Sequence, residues 1–178
     1  TPRDLLLSSN ARLVMNGPDD ILINRDLVIS DGSNLTINSN TLRVVGDLHL
    51  FDGFSSITMN GGRIIVGGDI IFGQTGGGLP DGTNGGTAIV VNSGRIDCNN
   101  IIYDGSTNDS HGLIIQSPGI VVTQGDVSNA NGGDVVIAIT DGLMRINGTL
   151  TMNSLGSNLS MGGGTLILDE NWTNSGTS

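Results

Sequence analysis

The sequence predicts an all-β chain wound as a single-stranded, right-handed parallel β-helix, a β-solenoid of about seven coils of about 22–24 residues, with three short strands per coil. Three observations carry that prediction. The strong helix formers Ala, Glu, Gln and Lys supply only 8 of 178 residues, and Lys is absent. Gly, Asn, Asp, Ser and Thr supply 96 residues, which is turn chemistry, while Ile and Val add 32 that favour strands. Finally, an apolar-x-apolar-Asn unit recurs: LVMN ending at Asn16, LTIN at Asn38, ITMN at Asn60 and IVVN at Asn92, with weaker copies ending at Gln116, Thr140 and Gly162. The intervals are 22, 22, 32, 24, 24 and 22 residues.

Each coil reads as a first, a second and a third strand, each burying two alternate side chains. Leu5-Leu6-Leu7 precedes the first third strand, Leu13-x-Met15-Asn16. Ile21-x-Ile23 and Leu27-x-Ile29 follow as first and second strands. Leu42-x-Val44, Gly46-Asp47 and Leu48-x-Leu50 repeat the pattern, as do Ile64-x-Val66, Gly68-Asp69 and Ile70-x-Phe72. Ile96-x-Cys98 leads to Ile101-x-Tyr103, and Met144-x-Ile146 to Leu150-x-Met152. The copy from Ile120-x-Val122 to Val127 fits poorly and carries a suspected bulge. Leu166-x-Leu168 and Trp172 end the series. Length variation is expected only between second and third strands, where 73–86 forms a long insertion in a single domain, 1–178. An antiparallel sandwich also accommodates short strands, but does not predict a 22-residue repeat with equivalent corners.

Stacked coils repeat every ~4.8 Å, which gives a rod of roughly 34 Å. Asn16, Asn38, Asn60 and Asn92 then form a ladder at one corner, and Asp26, Asp47 and Asp69 a column at another. The aspartates are expected to face solvent or to accept hydrogen bonds from turn amides. Outward positions are expected at Leu22, Arg43, Ile65, Asp97, Val121, Arg145 and Ile167 on the first strands. The third strands present Val14, Thr36, Thr58, Val90, Ile114, Ala138 and Ser160, and the second strands Val28, His49, Ile71 and Ile102.

Composition also narrows function. The net charge is −10, and seven scattered arginines do not announce a basic patch, so neither nucleic acid nor an anionic membrane is an expected partner. No apolar run is long enough for a membrane helix. Cys98 is the only cysteine, which excludes an intrachain disulfide and a Cys-rich zinc site. Without Lys there is neither Schiff-base chemistry nor a Walker A loop. The opening Thr1-Pro2 reads as a processed chain. His49 and His111 lack a G-x-S-x-G elbow, and Asp97 lacks an acidic neighbour for acid–base work. The turn aspartates Asp19, Asp20, Asp81, Asp104 and Asp109 read as solvated rather than as a calcium site. Sequons stand at Asn34, Asn108, Asn147, Asn158 and Asn171, little above chance for so many Asn, Ser and Thr residues. An ice-binding face wants a regular Thr column, and only Thr36 and Thr58 adjoin. No catalytic residue, metal or cofactor is expected.

Runs such as NTLRVVGDLHLFDG, GGRIIVGGDIIFG and DGLMRINGTLTMN resemble the coils of bacterial secreted β-helix proteins, the passenger regions of autotransporters and filamentous-haemagglutinin-like adhesins. The resemblance covers about Ile21 to Trp172. It implies an extracellular or cell-surface, non-enzymatic, structural or adhesive role. The expected partner is a second copy, stacked head-to-tail or laterally. The candidate assembly interface is Leu5, Leu6, Leu7, Leu13 and Met15 at one end and Leu166, Leu168 and Trp172 at the other. The alternative readings are an adhesin or carbohydrate-binding module, with a surface glycan as partner, and after that a polysaccharide-active enzyme.

Overall fold

A computed structural model describes residues 4–51, 54–73, 87–104, 110–130, 134–154 and 156–174. All twenty elements among them are strands, and every pairing is parallel. The chain is a β-solenoid of about 22 residues per coil, with three strand columns around one apolar core. Leu5 stands beneath Leu27, Leu27 beneath Leu48 and Leu48 beneath Ile70, so one coil places like residues above one another.

Eight strands form the second face: Leu5–Leu7, Leu27–Ile29, Leu48–Phe51, Ile70–Gly73, Ile101–Asp104, Val127–Ala130, Leu150–Thr151 and Trp172–Thr173. The third face runs through Arg12–Met15, Asn34–Ile37, Ser110–Ile115, Asp134–Ile139 and Asn158–Met161. The first face runs through Ile21–Ile23, Thr41–Val44, Ile120–Thr123, Leu143–Ile146 and Thr165–Leu168. Two long strands, Ser56–Val66 and Ala88–Cys98, serve both of these faces by passing through the corner between them without a break. That corner needs left-handed backbone, which Asn40, Gly62 and Gly94 supply at φ 68°, 69° and 90°. A Cβ on Gly62 would run into the carbonyl of Asn40 one coil below, so this level takes glycine.

Alternation fills the core. Ile64, Val66, Ile70, Phe72, Ile89 and Val91 are buried, as are Ile96, Cys98, Ile101, Tyr103, Leu113 and Ile115 one level above. The Phe72 and Tyr103 rings stack with centroids 4.8 Å apart, the separation the strands themselves impose.

Two expectations need correction. Val121 points inward over Ile96 and is fully buried, whereas Val122 takes the outward place between Asp97 and Arg145. Thr123, not Val122, completes the inward pair and stands over Cys98. Length variation is also not confined to one corner. The corners at 16–20 and 116–119, both containing Pro, are one residue longer than their equivalents, and the 99–100 corner is one shorter. Large insertions do fall between second and third strands; most of 73–86 lies outside the described residues.

Candidate functional site

The corners carry two hydrogen-bonded ladders. Asn38 donates its side-chain amide to the Asn16 carbonyl oxygen, Asn60 to Asn38 at 2.8 Å and Asn92 to Asn60 at 2.8 Å. At the corner between first and second strands, the Oδ1 of Asp26 accepts the backbone N–H of Asp47 at 2.9 Å, and Asp47 accepts that of Asp69 at 2.8 Å. Asp69, Asn100 and Asp126 extend the column by accepting from Asn100, Asp126 and Thr149. Carboxylates stacked one level apart repel, and the amide held by each offsets that repulsion. The second column therefore uses turn amides, one of the two environments expected for it.

The residues of the candidate assembly interface lie at the two ends of the stack. Leu5–Leu7 pairs with Leu27–Ile29, which makes it the first second-face strand. Leu5 and Leu13 are half-buried and Leu7 and Met15 buried, while Leu6 points outward with 61 % of its surface exposed. Ile21, half-buried on the first face, joins this end. At the other end Leu166 and Leu168 are half-buried, and Trp172, above Leu150, is 55 % exposed. Leu159 and Met161 also lie there, Met161 48 % exposed. The weak LSMG copy signals both residues in the sequence.

The first face holds an electrostatic feature that sequence reading missed. Arg43, Arg63, Arg95 and Arg145, four of the six arginines among the described residues, project from it. Arg95 stands directly above Arg63, and both grip Asp97. Arg63 Nε donates to Asp97 Oδ2 at 2.7 Å, and Arg95 Nη2 donates to Oδ1 at 2.6 Å. Burial pushes the Asp97 carboxyl up, but the hydrogen bonds from Arg95 and Arg63 outweigh it and hold the group below its ordinary range. Arg145 binds Asp169 through Nη2 at 2.7 Å. Arginines scattered along the chain are thus gathered on one side of a protein with a net charge of −10. The sequence signal was Arg95-Ile96-Asp97, two outward positions on one strand with opposite charge.

His49 lies on the second face against Phe51, ring centroids 5.1 Å apart. The His111 side chain, Asp81, Asn108 and Asp109 lie outside the described residues. Among the described residues no three His, Cys, Asp or Glu side chains come together as a metal site, and no helix is long and apolar enough to cross a membrane. Asn34, one of the sequon residues, donates its side-chain amide to the Gly32 carbonyl at 2.9 Å. No family model matches the chain, and comparisons with curated proteins and with solved structures find no match.

Proposed function

We propose that this chain is a non-enzymatic, extracellular structural protein whose copies stack head-to-tail into a filament or surface layer. The observation that supports the reading is the fit between its two ends. Continuing the ladders by one level places a second copy's Leu13 over Leu159, Met15 over Met161, Ile21 over Leu166 and Ile23 over Leu168. Apolar inward residues meet apolar inward residues on the third and first faces, and the open strand edges there find partners. A contact of this kind does not close on itself, so it propagates.

The second face has one strand more than the other two. A seamless junction therefore brings Leu5–Leu7 of one copy to the place held by Trp172–Thr173 of the other. The latter strand is the weaker, two residues long with both exposed, and in this reading it gives way. Electron microscopy with truncated chains tests the arrangement. At millimolar concentration the full chain is expected to form rods longer than about 50 Å, more than one copy of roughly 34 Å. Deleting 1–7 or deleting 172–178 removes one of the two strands that compete for that place, so each deletion should lower the concentration needed for assembly with β-content intact. A full chain that stays monomeric at millimolar concentration overturns the reading.

A further inference from the structure

Between Arg95 and Arg145 the first face sinks into a recess of about 440 Å³, within the range of about 300–1,000 Å³ common for ligand sites. Its floor is aliphatic: Ile120 and Leu143 stand one above the other, and Val122 and Ile167 lie beside them. Gln124 and Asn147 line one side with neutral amides. Arg95 stands one level below Ile120, and Arg145 one level above Val122, so the two cations are two levels apart, about 10 Å along the axis.

Both guanidinium groups are held in place before any ligand arrives. Arg95 places Nε and Nη2 on Asp97, and Arg145 places Nε and Nη2 on Asp169, with Nε also on Asn147. Nη1 of each has no protein acceptor among the described residues and Nη2 makes a single bond, leaving three N–H donors per arginine, two on Nη1 and one on Nη2. Side chains already fixed lose little freedom on binding, and a guanidinium fork suits a carboxylate.

We propose that this recess binds a chain of carboxylated sugars, an acidic polysaccharide of the uronate type. Carboxylates repeated along the chain meet the two arginines, hydroxyls meet the amides, and the C–H faces of the rings lie on the aliphatic floor. No aromatic side chain lines the recess, so a neutral sugar finds no stacking platform there. The density of positive charge is far below what a nucleic acid requires. The recess opens on the flank of the rod, so it remains accessible in an end-to-end stack and does not depend on assembly.

Calorimetric titration with oligogalacturonate tests this, with a carboxyl-reduced oligosaccharide of equal length as the comparison. Arg145→Gln and Arg95→Gln are each expected to weaken oligogalacturonate binding about tenfold, the size of one charge-assisted contact. Arg25→Gln, on the same corner as Gln124 but four coils below it, should leave it unchanged. The carboxyl-reduced ligand should bind at least tenfold more weakly to the unaltered protein, a comparison that needs no variant to fold. The proposal is overturned by absent binding, by equal binding of the two ligands, or by an equal loss in Arg25→Gln. It is also overturned if Arg145→Gln abolishes self-association instead, since the recess is then a contact between copies.

Discussion

Burial and pairing decide what individual side chains do. Cys98 is buried beneath Thr123, and its thiol contacts the Val122 carbonyl at 3.9 Å. Burial pushes its pKa up, and Asp69 and Asp97 add to the rise, so no thiolate forms near neutrality. Iodoacetamide is therefore expected to label Cys98 only as fast as the chain unfolds; rapid labelling of the native protein would contradict this. Asp97 shows the opposite shift. Its folded pKa lies below the ordinary 3.8, so its carboxylate contributes stability above that value and loses it as pH falls through the folded pKa. The difference in urea midpoint between the protein and Asp97→Asn should be full at pH 7 and shrink below about pH 3.8. Ile70 packs between Leu48 and Ile101 with 1 % of its surface exposed. Ile70→Ala should cost about 2–5 kcal/mol in urea unfolding. A loss under about 0.5 kcal/mol would belong to a surface position and contradict the inward assignment.

Among the strands, legibility followed alternation. Leu48-His49-Leu50 and Ile64-Ile65-Val66 have apolar residues at both inward places and a corner of constant length, so their register was readable. Ile120-Val121-Val122-Thr123 offers four β-branched residues whose one polar member, Thr123, does not mark the outward face, and a slip of one residue exchanges its faces. The extra residue in the Pro118-Gly119 corner decides the register, and the polar Thr123 then goes inward. Thr123 tolerates the core because its hydroxyl donates to the Gly125 carbonyl at 3.0 Å. The strands flanking the long insertion, Ile70–Gly73 and Ala88–Cys98, are in register with neighbours on both sides. Deleting Thr75 to Asn84 should therefore preserve β-content and cooperative unfolding by circular dichroism, since shortening a loop changes its closure entropy little. Loss of folding would place that segment in the core and refute the coil alignment.

Across the whole molecule, charge is distributed by face. The first face carries most of the arginines, and the neighbouring corner carries the column Asp26, Asp47 and Asp69. This asymmetry was hidden in the sequence because insertions of unequal length separate Arg63 from Arg95 by 32 residues and Arg95 from Arg145 by 50. The apolar ends were readable, since Leu5, Leu13, Leu166 and Trp172 continue the same alternation as the core. Which strand each would join was not, because Leu5-Leu6-Leu7 has no alternation to mark its face. The recess was invisible for a further reason: it depends on Val122 facing outward, in a strand whose register the residues leave open.

The ladders also determine how the rod responds to pulling. Both side-chain ladders, like the strand-to-strand bonds, run along its length. Tension applied at the two ends therefore strains one terminal coil at a time instead of sharing the load across the stack. Each coil peeled off occupies ~4.8 Å while folded and yields roughly 75 Å of extended chain, at about 3.4 Å for each of its 22 residues. Single-molecule stretching should show low-force steps of that size. One step of roughly 105 Å should mark the 31-residue coil between Ile70 and Ile101. A protein built this way, fixed at both ends, yields by lengthening many-fold before it breaks.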